Sequence, residues 1–181
     1  MQLLLHGCNR EWVTLSHMKT LYLLRHAKSS WKDPSLQDFD RPLNRRGREA
    51  APLVGRFIRK RKLRVDLILS SPAVRARQTA ALVKEASGLQ ADLLFDERTY
   101  EAGAAALLEV VTQAAESADA LVLVGHNPGT EELLTFLTGE ERRMPTAALA
   151  CVALDVEKWG KARARAGRLE WVVRPKELAE E

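Results

Sequence analysis

Short apolar runs that break off into polar residues recur along this chain, separated by segments whose apolar positions fall every three or four residues. The runs lie near residues 19–25, 65–70, 92–95, 120–125, 148–155 and 168–173, lengths that suit strands. Residues 45–62, 72–87, 103–117 and 128–138 carry the helical period instead. In the first of these, Ala50, Leu53, Val54, Phe57 and Ile58 make one apolar stripe, and Arg48, Arg56, Arg59 and Lys60 take remaining positions. This alternation predicts an α/β domain, a three-layer sandwich with a central mostly parallel sheet flanked by helices. Hairpin-like antiparallel pairing is open to the last two strands. Periodicity does not set the strand order.

The ends of these runs carry the chemistry. Leu21-Tyr22-Leu23-Leu24 stops at Arg25-His26-Ala27-Lys28, so a buried strand delivers an arginine and a histidine to its own tip. Both are costly to bury unless an anion compensates them, and a phosphoryl group would compensate both. Arginine offers a planar fork of donors for phosphate oxygens, and neutral imidazole offers a nucleophilic nitrogen. The pair therefore suggests phosphoryl transfer through a phosphohistidine, although an isolated Arg-His dipeptide could equally be a surface strand end. Val65 to Leu69 runs into Ser70-Ser71-Pro72-Ala73-Val74-Arg75, where Ser71 reads as an N-cap and Pro72 as the first helical residue. Arg75 then sits in the first turn, a place that disfavours a cation but suits the gripping of an anion. Arg77, roughly 200 degrees further round the helix, faces solvent. Ala120 to Gly125 ends at His126, followed by Asn127 as cap and Pro128 as first helical residue. A lone histidine after a strand is commonly structural, but ligands in open α/β sheets bind beyond the carboxyl ends of strands, and three such ends here carry Arg25/His26, Arg75 and His126.

Taken together, these segments resemble the histidine phosphatase superfamily, and within it the small phosphohistidine phosphatase branch. The resemblance is carried by Leu23 to Trp31, Asp38 to Gly47, Leu69 to Thr79, Val124 to Pro128 and Arg174 to Leu178, and extends from about Lys19 to the C-terminus. It implies a phosphoglycerate mutase-like fold with His26 as nucleophile, Arg25 and Arg75 binding phosphoryl oxygens, and His126 donating to them as imidazolium. It implies a metal-independent phosphatase with no cofactor, acting on protein phosphohistidine or, alternatively, on a small phosphate ester. Two guanidiniums and a second histidine can neutralise the equatorial charge of a transferring phosphoryl group without a metal. His26 must keep its attacking nitrogen unprotonated, so its other nitrogen is expected to donate to a carbonyl between Ala27 and Ser30. Many members of the superfamily protonate the leaving oxygen with a carboxyl group. Glu101 is the candidate here, with Asp33, Asp38 and Asp40 as alternatives. An alkoxide leaving group needs that proton; imidazole, with a pKa near neutrality, needs it much less.

Composition narrows the remaining readings. The 181 residues are 46% hydrophobic, enough for a full core, with no repeat or low-complexity linker. No run approaches a membrane span. Cys8 and Cys151 are too few and too far apart for a disulfide framework or zinc site, which fits a cytoplasmic location. Residues 1–17 lack the pattern of a secretory signal and read as a disordered or non-native extension before Met18, leaving 18–181 as one domain. The net charge of +4 and the cluster Arg56 to Arg64 allow a nucleic-acid-binding alternative. It is the weaker reading, because no exposed aromatics interleave with the basic residues. Neither the physiological substrate nor the oligomeric state follows from the sequence.

Overall fold

The computed structural model describes residues 18–179, and the extension expected over residues 1–17 lies outside the described residues. Six strands form one sheet: β1 (Lys19–Arg25), β2 (Leu67–Ser70), β3 (Asp92–Phe95), β4 (Ala120–Gly125), β5 (Leu149–Leu154) and β6 (Gly167–Val173). Their order is β3-β2-β4-β1-β5-β6. The β1/β4, β2/β4 and β2/β3 pairs are parallel, and β5 pairs antiparallel with both β1 and β6. The sequence reading placed antiparallel pairing only between the last two strands; β5 in fact docks on β1 as well. That puts β1, with its Arg-His tip, inside the sheet.

The period of two along each strand sorts its side chains into two cores. Leu21, Leu23, Leu121 and Leu123 face one cluster, whereas Tyr22, Leu24, Val122 and Val124 face the other. The first is covered by α3 (Ala104–Thr112) and α4 (Gly129–Thr138), through Leu107, Val111, Leu133 and Leu137. The second is covered by α1 (Arg45–Lys60) and α2 (Val74–Ser87), through Val54, Phe57, Ala80 and Val83. A short α5 (Pro175–Leu178) follows β6. The apolar stripe expected on the first helix is the face that packs, and Gly55 lets α1 and α2 meet closely. A Cβ there would lie 2.7 Å from the Ala86 Cβ and 2.5 Å from the Val83 carbonyl oxygen.

The elements fall where the pattern places them, with shifts at their ends. The third helix was expected to reach residue 117 but stops at Thr112. Beyond it the carbonyls of Glu116 and Ala118 accept from the buried Lys19 Nζ at 2.9 and 3.0 Å, and the Ala118 carbonyl also accepts from Trp159 Nε1 at 2.8 Å. Those tertiary acceptors turn the chain out of the helix. The first helix ends at Lys60, because Lys62 adopts a left-handed backbone with φ of 52°.

Candidate active site

In the strand order β2-β4-β1 the three polar tips become neighbours. Register pairs Arg25 with Gly125 and Ser70 with Val124, and adjacent strands lie about 4.8 Å apart. Backbone bonds continue this register past the strands, from His26 N to the Gly125 carbonyl and from Ser71 N to the Val124 carbonyl, both at 3.0 Å. His26 and His126 are therefore brought together, their ring centroids 4.9 Å apart. Both are buried.

The hydrogen bonds select a tautomer for each ring. The Ala27 carbonyl can only accept, so His26 donates from Nδ1 to it at 2.7 Å and Nε2 carries the free lone pair. The acceptor is one of those expected from the sequence. Arg75 Nη2 can only donate, so His126 Nδ1, 3.3 Å away, is an acceptor and its Nε2 donates to Ser71 Oγ at 2.7 Å. Burial lowers the pKa of His26 to about 4 against the lift from the Ala27 carbonyl, helped by the charges of Arg75 and Arg25. Burial, then His26 and Arg75, lower His126 to about 3. Without a phosphoryl group His126 is therefore a neutral ring, chiefly because it is buried; the imidazolium expected from the sequence is the form that donates to bound phosphoryl oxygens.

Arg75 is buried in the first turn of α2 and joins His126 to the loop after β1. Its Nη1 donates to the Asp38 carbonyl, and its Nη2 lies 2.7 Å from Asp38 Oδ2. The caps differ from expectation: α2 begins at Val74, and the Ser71 hydroxyl, rather than starting a helix, serves His126. Likewise α4 begins at Gly129, while Asn127 Nδ2 donates to the Met144 carbonyl at 3.1 Å. Ser71 Oγ keeps a local bond as well, accepting from Ala73 N at 3.3 Å, while Asn127 Oδ1, the atom that would cap a helix, has no partner among the described residues. Thr79 secures the arrangement by accepting from Ala27 N at 3.0 Å and donating to the Arg75 carbonyl at 2.6 Å. Arg25 is half-buried, and its Nη1 donates to the Met144 carbonyl at 2.9 Å.

The chain from Leu21 to Arg143 matches the family model of the histidine phosphatase superfamily, branch 1. The chain belongs to that superfamily. This histidine phosphatase is similar to the solved structure assigned as phosphohistidine phosphatase SixA from Agrobacterium tumefaciens, with 32% identity, a TM-score of 0.75, and coverage of 87% of this chain and 98% of that one. The protein histidine phosphatase SixA complexed with tungstate shares the fold at 23% identity and a TM-score of 0.73, covering 88% and 99%. So does a mycobacterial glucosyl-3-phosphoglycerate phosphatase, at 20% identity and a TM-score of 0.60, covering 84% and 97%. The phosphoglycerate mutase-like three-layer fold and the phosphatase class are those expected from the sequence.

The carboxyl candidates separate in this histidine phosphatase. Asp38 is placed against the site, bonded to Arg75, to Arg41 Nη1 at 2.6 Å and to the Tyr100 hydroxyl at 3.0 Å. Burial would raise its pKa, but the Arg75 bond and charge, the Tyr100 bond and Arg41 outweigh it and hold the carboxyl below its ordinary value. Asp33 is exposed and accepts from Ser35, both its amide and its hydroxyl. Glu101 is exposed with a left-handed φ of 49°, and hydrogen-bonds neither histidine. Asp40 is exposed in the short 3-10 turn after Asp38 and likewise contacts neither ring. Sequence reasoning missed Ser71 as a histidine partner and Tyr100 as the partner of Asp38 and His126. Tyr100 stacks edge-on against His126 and Phe39, and Arg41 lies under Trp31 with 3.1 Å from Cζ to the ring centroid. No local pattern marks Ser71 or Tyr100, since each acts on residues distant in sequence. Among the described residues no group of three or more His, Cys, Asp or Glu side chains is placed to hold a metal ion, and no helix is long and apolar enough to cross a membrane.

Proposed function

We propose that the chain hydrolyses phosphohistidine on proteins, by transfer of the phosphoryl group to His26 and then to water. The observation that carries this reading is the state of the carboxyl groups. Asp38 is held ionised by its arginine partners, and no carboxyl among the described residues hydrogen-bonds either catalytic ring. An ionised Asp38 and a solvent-exposed Glu101 suit imidazole as a leaving group better than an alkoxide, which needs a proton as it departs.

In this reading His26 Nε2 attacks phosphorus in line, forming one P–N bond as the bond to the substrate imidazole breaks. The departing imidazole takes its proton from solvent. Arg25 and Arg75 balance charge on the equatorial oxygens. Phosphoryl binding places an anion beside His126 and so raises its pKa, which lets the ring gain a proton and donate. Water then cleaves the His26 phosphoramidate and frees phosphate.

The test is a competition between a phosphohistidine protein and a panel of phosphate monoesters, with Glu101→Gln run alongside. Preferred cleavage of phosphohistidine, with Glu101→Gln unchanged on it, is the expected result. The second reading, a phosphomonoesterase for a small metabolite, draws on the glucosyl-3-phosphoglycerate phosphatase that shares the fold. Strong ester turnover that collapses in Glu101→Gln would establish it instead. His26→Ala should abolish both turnover and acid-labile labelling of the enzyme, and unchanged turnover would remove His26 as nucleophile.

A further inference from the structure

Next to the histidine pair the surface opens into a cleft of about 640 Å³, lined among others by Arg25, Asn127, Glu131, Arg143, Met144 and Arg174. Arg25 joins it to the site, because it directly precedes His26. The positive charge of this cleft is poorly compensated. Against its three arginines stands one carboxylate, Glu131, which accepts from the Met144 amide at 2.7 Å and offsets part of the charge at Arg25. Arg174 meets Glu177 at 3.3 Å at the start of α5, whereas exposed Arg143 makes no hydrogen bond or ion pair among the described residues. Arg25 Nε and Asn127 Oδ1 are buried without a partner. Burial lowers the Arg25 pKa and the nearby Arg143 charge adds to this, with Glu131 opposing. Three guanidiniums gathered this way are complementary to an incoming anion.

We propose that this cleft is a second anion subsite, which takes the carboxylate of an acidic residue flanking the phosphorylated side chain of a protein substrate. The inference rests on the reading of the substrate as a phosphoprotein. Its extent supports a peptide: a neighbouring cleft of about 740 Å³ shares Pro128, Glu131 and Arg143 with it, so the surface continues beyond a single phosphorylated group, and Glu132 and Glu141 in that neighbour confine the acidic flank to the first cleft. An arginine fork matches a carboxylate as well as it matches a phosphate, and with Arg25 engaged by the phosphoryl group it is Arg143 and Arg174 that are left to raise affinity for the flanking residue.

The experiment compares histidine-phosphorylated peptides carrying Asp and Glu flanks with the same peptides carrying Asn and Gln, and uses free phosphohistidine, as its N-acetyl methylamide so that it carries no carboxylate, as the minimal substrate. The wild-type enzyme should favour the acidic peptides by about two- to fivefold in kcat/KM, expressed in KM, as an ion pair to exposed arginines allows. Arg143→Gln should erase the preference, Arg143→Lys should restore part of it, and both should leave free phosphohistidine unchanged. Equal turnover of acidic and neutral peptides by the wild type would overturn the subsite. So would an Arg143→Gln loss as large on free phosphohistidine as on the acidic peptide. Running the same pairs as phosphoserine peptides separates the two claims: an acidic preference there, without P–N cleavage, upholds the subsite and rejects the phosphohistidine reading. A preference confined to small monoesters that carry a second acid group overturns the peptide as its ligand.

Discussion

His26 and His126 are held neutral by the same burial that brings them together, and two measurable consequences follow at this scale. In the free enzyme the His26 lone pair persists down to about pH 4, so the acid limb of kcat/KM, corrected for substrate ionisation, should lie well below the ordinary histidine value of about 6.5. An acid limb at pH 6 to 7 would mean that this nitrogen is not the titrating nucleophile. Stability should move with the same groups. The unfolded chain protonates these rings near pH 6.5 and the folded one only towards pH 4 and below, so between those values the unfolded state binds more protons. Stability is fully present above pH 6.5 and declines on acidification, which thermal unfolding at pH 5 against pH 7.5 will show, and His26→Asn should flatten the slope. Arg75→Ala should remove about 2 to 4 kcal/mol of transition-state stabilisation, read as a loss of kcat/KM. Asp38→Asn tests its own role, since it keeps the shape but removes the charge that anchors Arg75 and Arg41. A similar loss on esters and on phosphohistidine is expected from a positioning residue, whereas a loss on esters alone would make Asp38 the acid.

At the scale of elements, two loops are held against the strand tips by glycines that admit no side chain. A Cβ at Gly129 would meet the Ala102 carbonyl oxygen at 1.8 Å, and one at Gly47 would meet the Lys28 carbonyl oxygen at 2.3 Å. Both obstructions are backbone, so neither can swing aside. Gly129→Ala should cost about 1 to 3 kcal/mol of stability and shift the Tyr100 loop, seen as a lower Tm together with weaker turnover. Unaltered Tm would show that the α4 start and this loop separate readily. The strand and helix centres were legible because burial imposes periods of two and 3.6 that need no partner to be named. Their ends were not: Ser71 and Asn127 have the chemistry of caps, yet the helices begin at Val74 and Gly129, and both side chains also bond distant groups, His126 and the Met144 carbonyl. The short reach of α3 has the same origin in Lys19 and Trp159, residues distant in sequence.

Over the whole molecule, two cores share one sheet, and the order β2-β4-β1 converts three separate strand tips into one site. Trp159 is fully buried in the core beneath α3 and α4, so Trp159→Ala should cost about 3 to 5 kcal/mol in chemical denaturation. Activity per folded molecule should survive, because Trp159 belongs to the core away from the strand tips. Composition and apolar periodicity determined the layered architecture, and the Arg-His, Ser-Pro-Ala-Val-Arg and Gly-His-Asn-Pro segments determined the phosphoryl chemistry, because both are properties of residues within a few positions of one another. Tertiary structure alone decided that β5 docks on β1, that Asp38 anchors Arg75 while Glu101 faces solvent, and that three arginines border one cleft. Those outcomes depend on which distant segments compete for the same donors and acceptors, and that competition is resolved only when the sheet closes around them.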